Sequence, residues 1–324
     1  MDLHRHQQVL STIRGKTVEI PDFRFLLDKW PRKVNLNYSS VIATADQAIE
    51  SIFQDDKKVK SLKSANLALF ASMAFPHAAI DKLEILTLWG IWIYMWDDEV
   101  DEPDGLHTNN LESGNVYREQ TINFVEYYLG LGEQVEVPTS QNPIIDSFRP
   151  IGQRFEKCYS VEQCQSVFDE LEFAMQMSRE EQQARRSDRI PTVNEYMRVR
   201  MGSSGVGLLL SAMESNDILS LKKEIAADWL SNIVSLTFVE CGNLQKAVDM
   251  AYAALVAAID RFEAAAKDLL SHPESLTVPE EEARSLVDGL RDAWVGVIYW
   301  QYESRRYCPP EADIRDGQFS VTMQ

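Results

Sequence analysis

The run from Trp89 to Glu102, WGIWIYMWDDEVDE, constrains this chain more than any other stretch, because an aromatic-rich apolar segment ends abruptly in acid. Its pattern predicts one helix, and Pro103, Asp104 and Gly105 supply breaker and turn residues just beyond the carboxylates. At about 100° per residue, Asp97, Asp98 and Asp101 fall within roughly 100° of arc on the last turn of that helix. Like charges so close repel one another, and the helix's C-terminal carbonyls deepen the negative potential. A cation is therefore expected there, and hard oxygen ligands favour Mg2+ or Mn2+ over zinc or copper. The competing reading is a solvated acidic helix end, common in a chain this acidic. A calcium loop fits poorly, since counting from Asp97 puts Glu102 where an EF-hand needs glycine and Thr108 where it needs glutamate.

Composition narrows the class. Lys plus Arg number 32 against 50 Asp plus Glu, a net charge of −18, which argues against nucleic acid or an anionic membrane as partner. Gly (14) and Pro (12) are sparse among long Ala, Leu, Glu and Lys-rich segments, so an all-α fold with little room for a sheet is expected. Cys158, Cys164, Cys241 and Cys308 form no CxxC, and with five scattered histidines they read as reduced core thiols rather than zinc or haem ligands. The N-terminus has no apolar leader and no run approaches a membrane span, so a cytoplasmic protein without a stable membrane anchor is expected.

Residues 1–35 lack sustained periodicity and read as an irregular arm. Apolar spacing predicts helices from Val41 to Phe53 and from Val59 to Phe75, then the Asp81–Glu102 helix and a polar loop from Pro103 to about Asn115. Further helices follow at roughly 116–131, 143–158, 161–185, 192–213, 217–240, 244–271 and 281–306, all within one domain spanning 1–324. Trp89, Trp92 and Trp96 recur at helical spacing and read first as core, second as cavity lining. Arg185, Arg186 and Arg189 read as a surface basic cluster.

A second constellation lies at Asn216, Ser220 and Glu224. Standing at i, i+4 and i+8, the three span only about 80° of a helix and line up as an amide, a hydroxyl and a carboxylate, with Lys223 beside them. Such a column offers one Mg2+ three oxygen ligands, although an ordinary amphipathic helix N-capped by Asn216 would carry the same residues.

Together these stretches resemble the class I terpene synthases. Asp97-Asp98-Glu99-Val100-Asp101 looks like their DDxxD motif, and Asn216/Ser220/Glu224 like their NSE motif. The segment Glu195-Tyr-Met-Arg-Val-Arg200 resembles the one that holds their diphosphate-sensing arginine. The ending from Trp300 to Arg306-Tyr307 is similar to that of fungal sesquiterpene synthases, the presilphiperfolanol-synthase group among them. One departure stands out: only 15 residues separate Arg200 from Asn216, where the family places several dozen, an apparent shortening of the bundle.

The resemblance implies a helical bundle around a central cavity. It also implies three Mg2+ ions, with Mn2+ as the substitute, held by Asp97, Asp98 and Asp101 on one wall and by Asn216, Ser220 and Glu224 on the other. Arg200, Lys223, Arg306 and Tyr307 would bind the diphosphate of a small-molecule prenyl substrate. The implied reaction ionises farnesyl diphosphate and cyclises the carbocation to a sesquiterpene hydrocarbon or alcohol, in a monomer or homodimer. A chain-elongating prenyltransferase is the alternative, disfavoured because no second DDxxD occurs. An inactive helical protein lacking part of the bundle is the other.

Overall fold

The computed structural model describes residues 2–132, 137–187, 189–203, 213–272, 278–307 and 317–324. In chain order these give α1 (Asp2–Ile13), β1 (Thr17–Pro21), a short 3-10 turn (Phe23–Leu27), α2 (Tyr38–Ile52), α3 (Asp56–Ser64), α4 (Leu67–Ala74), α5 (Ile80–Asp101), α6 (Leu111–Tyr128), α7 (Pro143–Asp146), α8 (Arg149–Cys158), α9 (Val161–Arg186), α10 (Val193–Ser203), α11 (Met213–Ala226), α12 (Ile233–Cys241), α13 (Leu244–Ser271), α14 (Glu280–Glu303) and β2 (Gln318–Thr322). The fold is all-α, as the sparse glycine and proline imply. No described helix is long and apolar enough to cross a membrane.

Side-chain caps mark many of the helix starts. Asn110 caps α6 through Ser113 N–H, Asn232 caps α12 through Val234 N–H, and Asn243 caps α13 through Lys246 N–H. Ser160 and Gln163 form a capping box at α9. The helix expected from Val59 to Phe75 is instead two, because Asn66 takes the left-handed conformation (φ 50°) and its side chain caps α4. Asp228 (φ 64°) likewise interrupts the helical stretch expected over 217–240, which is two helices, α11 and α12. The polar loop is shorter than expected, since α6 begins at Leu111.

The N-terminal reading requires correction: residues 1–35 are not an irregular arm. They contain α1, β1 and the 3-10 turn, and Leu10, Ile13, Val18, Ile20, Phe23 and Leu27 are all buried. Strand β1 pairs antiparallel with β2 in the register Val18↔Val321 and Ile20↔Phe319, joining the two ends of the chain. Gln245 on α13 then ties β1 down, its side chain accepting from Glu19 N–H at 2.8 Å and donating to Glu19 C=O at 3.0 Å.

The core forms two apolar clusters. One gathers around α2, α4, α5, α6 and α8, the other around the terminal strands, α11, α12 and α13, and Tyr299 and Tyr307 pack against both. A close crossing joins α4 and α14, where a Cβ on Gly296 would lie 2.5 Å from Ala74 N and 2.6 Å from Met73 C. Backbone cannot yield as a flexible side chain does, so Gly296→Ala should lower stability by about 1–3 kcal/mol. Gly289, on the same helix with nothing within 4 Å of its would-be Cβ, should instead gain about 0.5–1 kcal/mol as alanine. Urea unfolding of both variants checks this; shifts of the same sign would contradict the close crossing.

Candidate active site

The acidic end of α5 is met by a cation from each of several elements. Asp98 Oδ1 accepts from Arg306 Nη2 at 2.8 Å, and Glu102, one residue past the helix, accepts from the same nitrogen at 2.8 Å and from Lys223 Nζ of α11. Asp101 is paired with Arg185 of α9, whose other nitrogen donates to Val100 C=O at 3.0 Å. Arg185 thereby neutralises a carboxylate and the negative helix terminus at once. Its side chain is only 11% exposed and its guanidinium lies 5.3 Å from the Trp229 ring centre, so the surface reading of this arginine is wrong. Arg189, exposed and paired with Glu195, does match it.

Asp97 has no hydrogen bond or ion pair among the described residues. Burial, and then the charges of Asp101, Asp98 and Glu181, push its carboxyl well above the usual range. Burial also raises Asp98, against the opposing pull of Arg306. Burial works against the charge on Asp101 too, but Arg185 and Arg200 outweigh it and hold that carboxyl low.

On α11 the column is internally bonded. Asn216 Oδ1 accepts from Arg200 Nη2 of α10 at 3.0 Å, and Arg200 lies 3.5 Å from Asp217 Oδ1. Ser220 Oγ donates to Glu224 Oε1 at 2.6 Å, and Asn232 Nδ2 donates to Glu224 Oε2 at 2.8 Å. Asn216 lies inside α11 rather than at its cap, which removes the N-cap reading. Asp217 holds the frame: its Oδ2 accepts from Tyr196 OH at 2.6 Å and from Ile233 N–H at 2.9 Å, fixing α10, α11 and α12 against one another. The Arg200–Asn216 connection runs through 204–212, outside the described residues.

Of the ten residues singled out from sequence, Asp98, Lys223 and Arg306 meet through Glu102, Asp101 pairs with Arg185, Arg200 with Asn216 and Ser220 with Glu224, while Asp97 has no such partner among the described residues. Tyr307 OH is hydrogen-bonded to Tyr94 OH, and the Arg306 guanidinium sits 4.7 Å from the Tyr94 ring centre. Tyr94 was not singled out, although it stands one turn before Asp97 and Asp98 on the same face. The tryptophans are core. Trp92 and Trp96 are buried, with their N–H groups satisfied by Ile144 C=O (3.0 Å) and Thr121 Oγ1 (2.9 Å), and Trp89 packs on Phe148 and Phe155. Two cavities of about 350 and 400 Å³ lie elsewhere, lined by none of the ten.

Comparison with known proteins gives a consistent answer. The family described as "Terpene synthase family 2, C-terminal metal binding" matches residues 88–215, from just before the aspartate cluster to the residue before Asn216. Sesquiterpene cyclase hepA of Aspergillus oryzae is 27% identical over 330 aligned positions, covering 89% of this chain and 88% of that protein. Terpene cyclase braA of Annulohypoxylon truncatum is 25% identical, covering 92% and 88%. Among solved structures, that of α-eudesmol synthase shares the fold with a TM-score of 0.69 at 16% identity, covering 84% of this chain and 96% of that one. These matches support a class I terpene synthase with terpene cyclase activity.

The donor set suits a hard divalent cation, consisting of carboxylate, amide and hydroxyl oxygens with no thiolate or imidazole. The unpaired, charge-crowded Asp97 is the group that such a cation would relieve. In the described residues, however, no three His, Cys, Asp or Glu side chains are arranged to enclose a metal ion, because arginine and lysine separate the carboxylates. Glu224 carries the clearest pH signature. Burial, and then the charge of Asp217, push it up to about 7 from an ordinary 4.5, despite the bonds from Ser220 and Asn232. A raised carboxylate favours the folded state below about pH 4.5, and this contribution is lost as pH rises through about 7. Metal-free wild type should therefore lose stability relative to Glu224→Gln between pH 5 and about 8. Parallel stability curves for the two proteins would contradict this environment for Glu224.

Proposed function

We propose that this terpene cyclase ionises farnesyl diphosphate in a Mg2+-dependent reaction and cyclises the resulting cation to a sesquiterpene hydrocarbon or alcohol, releasing diphosphate. The observation that carries the proposal is that Arg200, hydrogen-bonded to Asn216, acts electrostatically on Asp97 and Asp101, while Lys223 beside the column pairs with Glu102 and Arg306 with Asp98 and Glu102. The C15 substrate follows from the similarity to proteins named as sesquiterpene cyclases. We take 1–324 as one catalytic domain, because Tyr299 and Tyr307 bridge both hydrophobic clusters.

Asp97, Asp98 and Asp101 would hold metal on one side, and Asn216, Ser220 and Glu224 on the other. When bound, Mg2+ supplies Lewis-acid stabilisation of negative charge on a departing diphosphate. Arg200, Lys223, Arg306 and Tyr307 donate hydrogen bonds to the diphosphate oxygens and hold the substrate with its allylic C–O bond fixed in place. As that bond breaks, electron density moves onto oxygen, and these donors bind the product anion more strongly than the ester. The carbon left behind is cationic. The rings of Tyr94 and Trp300, 6.1 Å apart and next to Arg306 and Tyr307, offer π-faces suited to such charge. Arg200 reaches Asn216 across the short connection, which supports an assembled site in spite of the shortening.

Incubation of the purified chain with farnesyl diphosphate and Mg2+, read by gas chromatography–mass spectrometry, should yield a C15 product that disappears with EDTA. Asp97→Ala and Asn216→Ala should each reduce it below about 1% while retaining helical circular dichroism. A metal-independent product, or normal turnover by both variants, would remove the metal assignment. A longer prenyl diphosphate appearing only with a homoallylic co-substrate would favour chain elongation.

A further inference from the structure

Glu102 lies outside both motifs, yet its carboxylate is the meeting point of two cations that belong to different parts of the fold. Lys223 reaches it from α11, and Arg306 reaches it from the segment following α14. Both donors converge on the same atom, Oε1, and Arg306 uses the same nitrogen to bind Asp98. The backbone beneath the side chain is pinned. Glu102 N–H donates to Asp98 C=O at 3.1 Å, and Glu102 C=O accepts from Gly105 N–H at 2.9 Å and from Thr108 Oγ1 at 2.6 Å. The side chain itself is 19% exposed at the edge of the network, and the residue lies one position past the end of α5.

We propose that Glu102 is a displaceable internal anion, holding Lys223 and Arg306 in the ligand-free enzyme and surrendering them to diphosphate. This rests on the reading above that these two cations bind diphosphate. A single carboxylate gathers them at the spacing needed to share one oxygen. It cannot match a diphosphate, which brings several charged oxygens and divalent metal with it. Glu102 therefore keeps two flexible cations ordered, so less side-chain entropy is lost when substrate arrives. The same carboxylate competes with bound diphosphate and recaptures the cations as the product anion leaves. It acts as a positioning residue, distinct from Asp97, which makes no hydrogen bond or ion pair among the described residues although the charge of Arg200 acts on it.

Calorimetric titration with inorganic pyrophosphate at saturating Mg2+ tests the proposal. Glu102→Gln, which keeps the shape but not the charge, should bind pyrophosphate about tenfold more tightly than wild type. Glu102→Asp keeps the charge but shortens the reach to Lys223 and Arg306, so it should also tighten binding, which a mere reduction of net charge would not produce. Failure of either variant to bind pyrophosphate more tightly than wild type overturns the displacement. Lys223→Met and Arg306→Gln should weaken binding. If wild type binds no pyrophosphate, or these two variants bind it normally, the diphosphate reading itself fails and the displacement falls with it.

Discussion

Electrostatic repulsion at the C-terminal end of α5 is the constraint to which the other parts of the site answer. Asp97, Asp98, Asp101 and Glu102 crowd a helix terminus that is already negative, and burial removes the water that would screen them. Neutralisation cannot come from α5 itself, whose last turn holds no basic residue. It comes instead from α9 through Arg185, from α11 through Lys223 and from the chain's C-terminal segment through Arg306. Closing the fold and balancing this charge are thus one event, because each cation arrives only when its own element has packed.

The ends of the chain contribute to the same assembly at a distance. The β1–β2 pair joins both termini over α13, and α1 and its following turn reach the end of α11. There His6 Nε2 lies 2.8 Å from Asp228 C=O, and Arg14 donates to Ile225 C=O at 3.2 Å. These contacts fix the C-terminal end of α11, while Asp217, held by Tyr196 and Ile233, fixes its beginning. The column of Asn216, Ser220 and Glu224 is therefore braced at both ends, as a site that must keep its geometry requires.

Local periodicity made the helices legible. The bounds 244–271 coincide with α13, and the acidic end of α5 falls within a residue of its expected place. What the sequence concealed was non-local. Strand β1 is short, and its partner Gln318–Thr322 lies at the far end of the chain, so no nearby residue announces the pairing. Asn66 broke an expected helix by adopting a conformation that a polar residue tolerates but does not signal. Arg185 looked like a surface residue because its neighbours Arg186 and Arg189 are basic as well; only the approach of α9 to α5 separates its role from theirs. Glu102 and Tyr94 flank the aspartate motif and could have been found from helical register with Asp98, whereas Asn232, which holds Glu224, stands on another helix cap altogether.

Apart from Asp97, the proposed metal-ligand residues are engaged by the protein's own cations and donors, which metal and diphosphate together would displace. Titration of Mn2+ followed by electron paramagnetic resonance, with and without inorganic pyrophosphate, addresses this most directly. Strong Mn2+ binding should appear only when pyrophosphate is present and should be lost in a chain lacking the Asp97 and Asn216 side-chain oxygens. Equally strong binding without pyrophosphate, or binding that survives the removal of both residues, would contradict it.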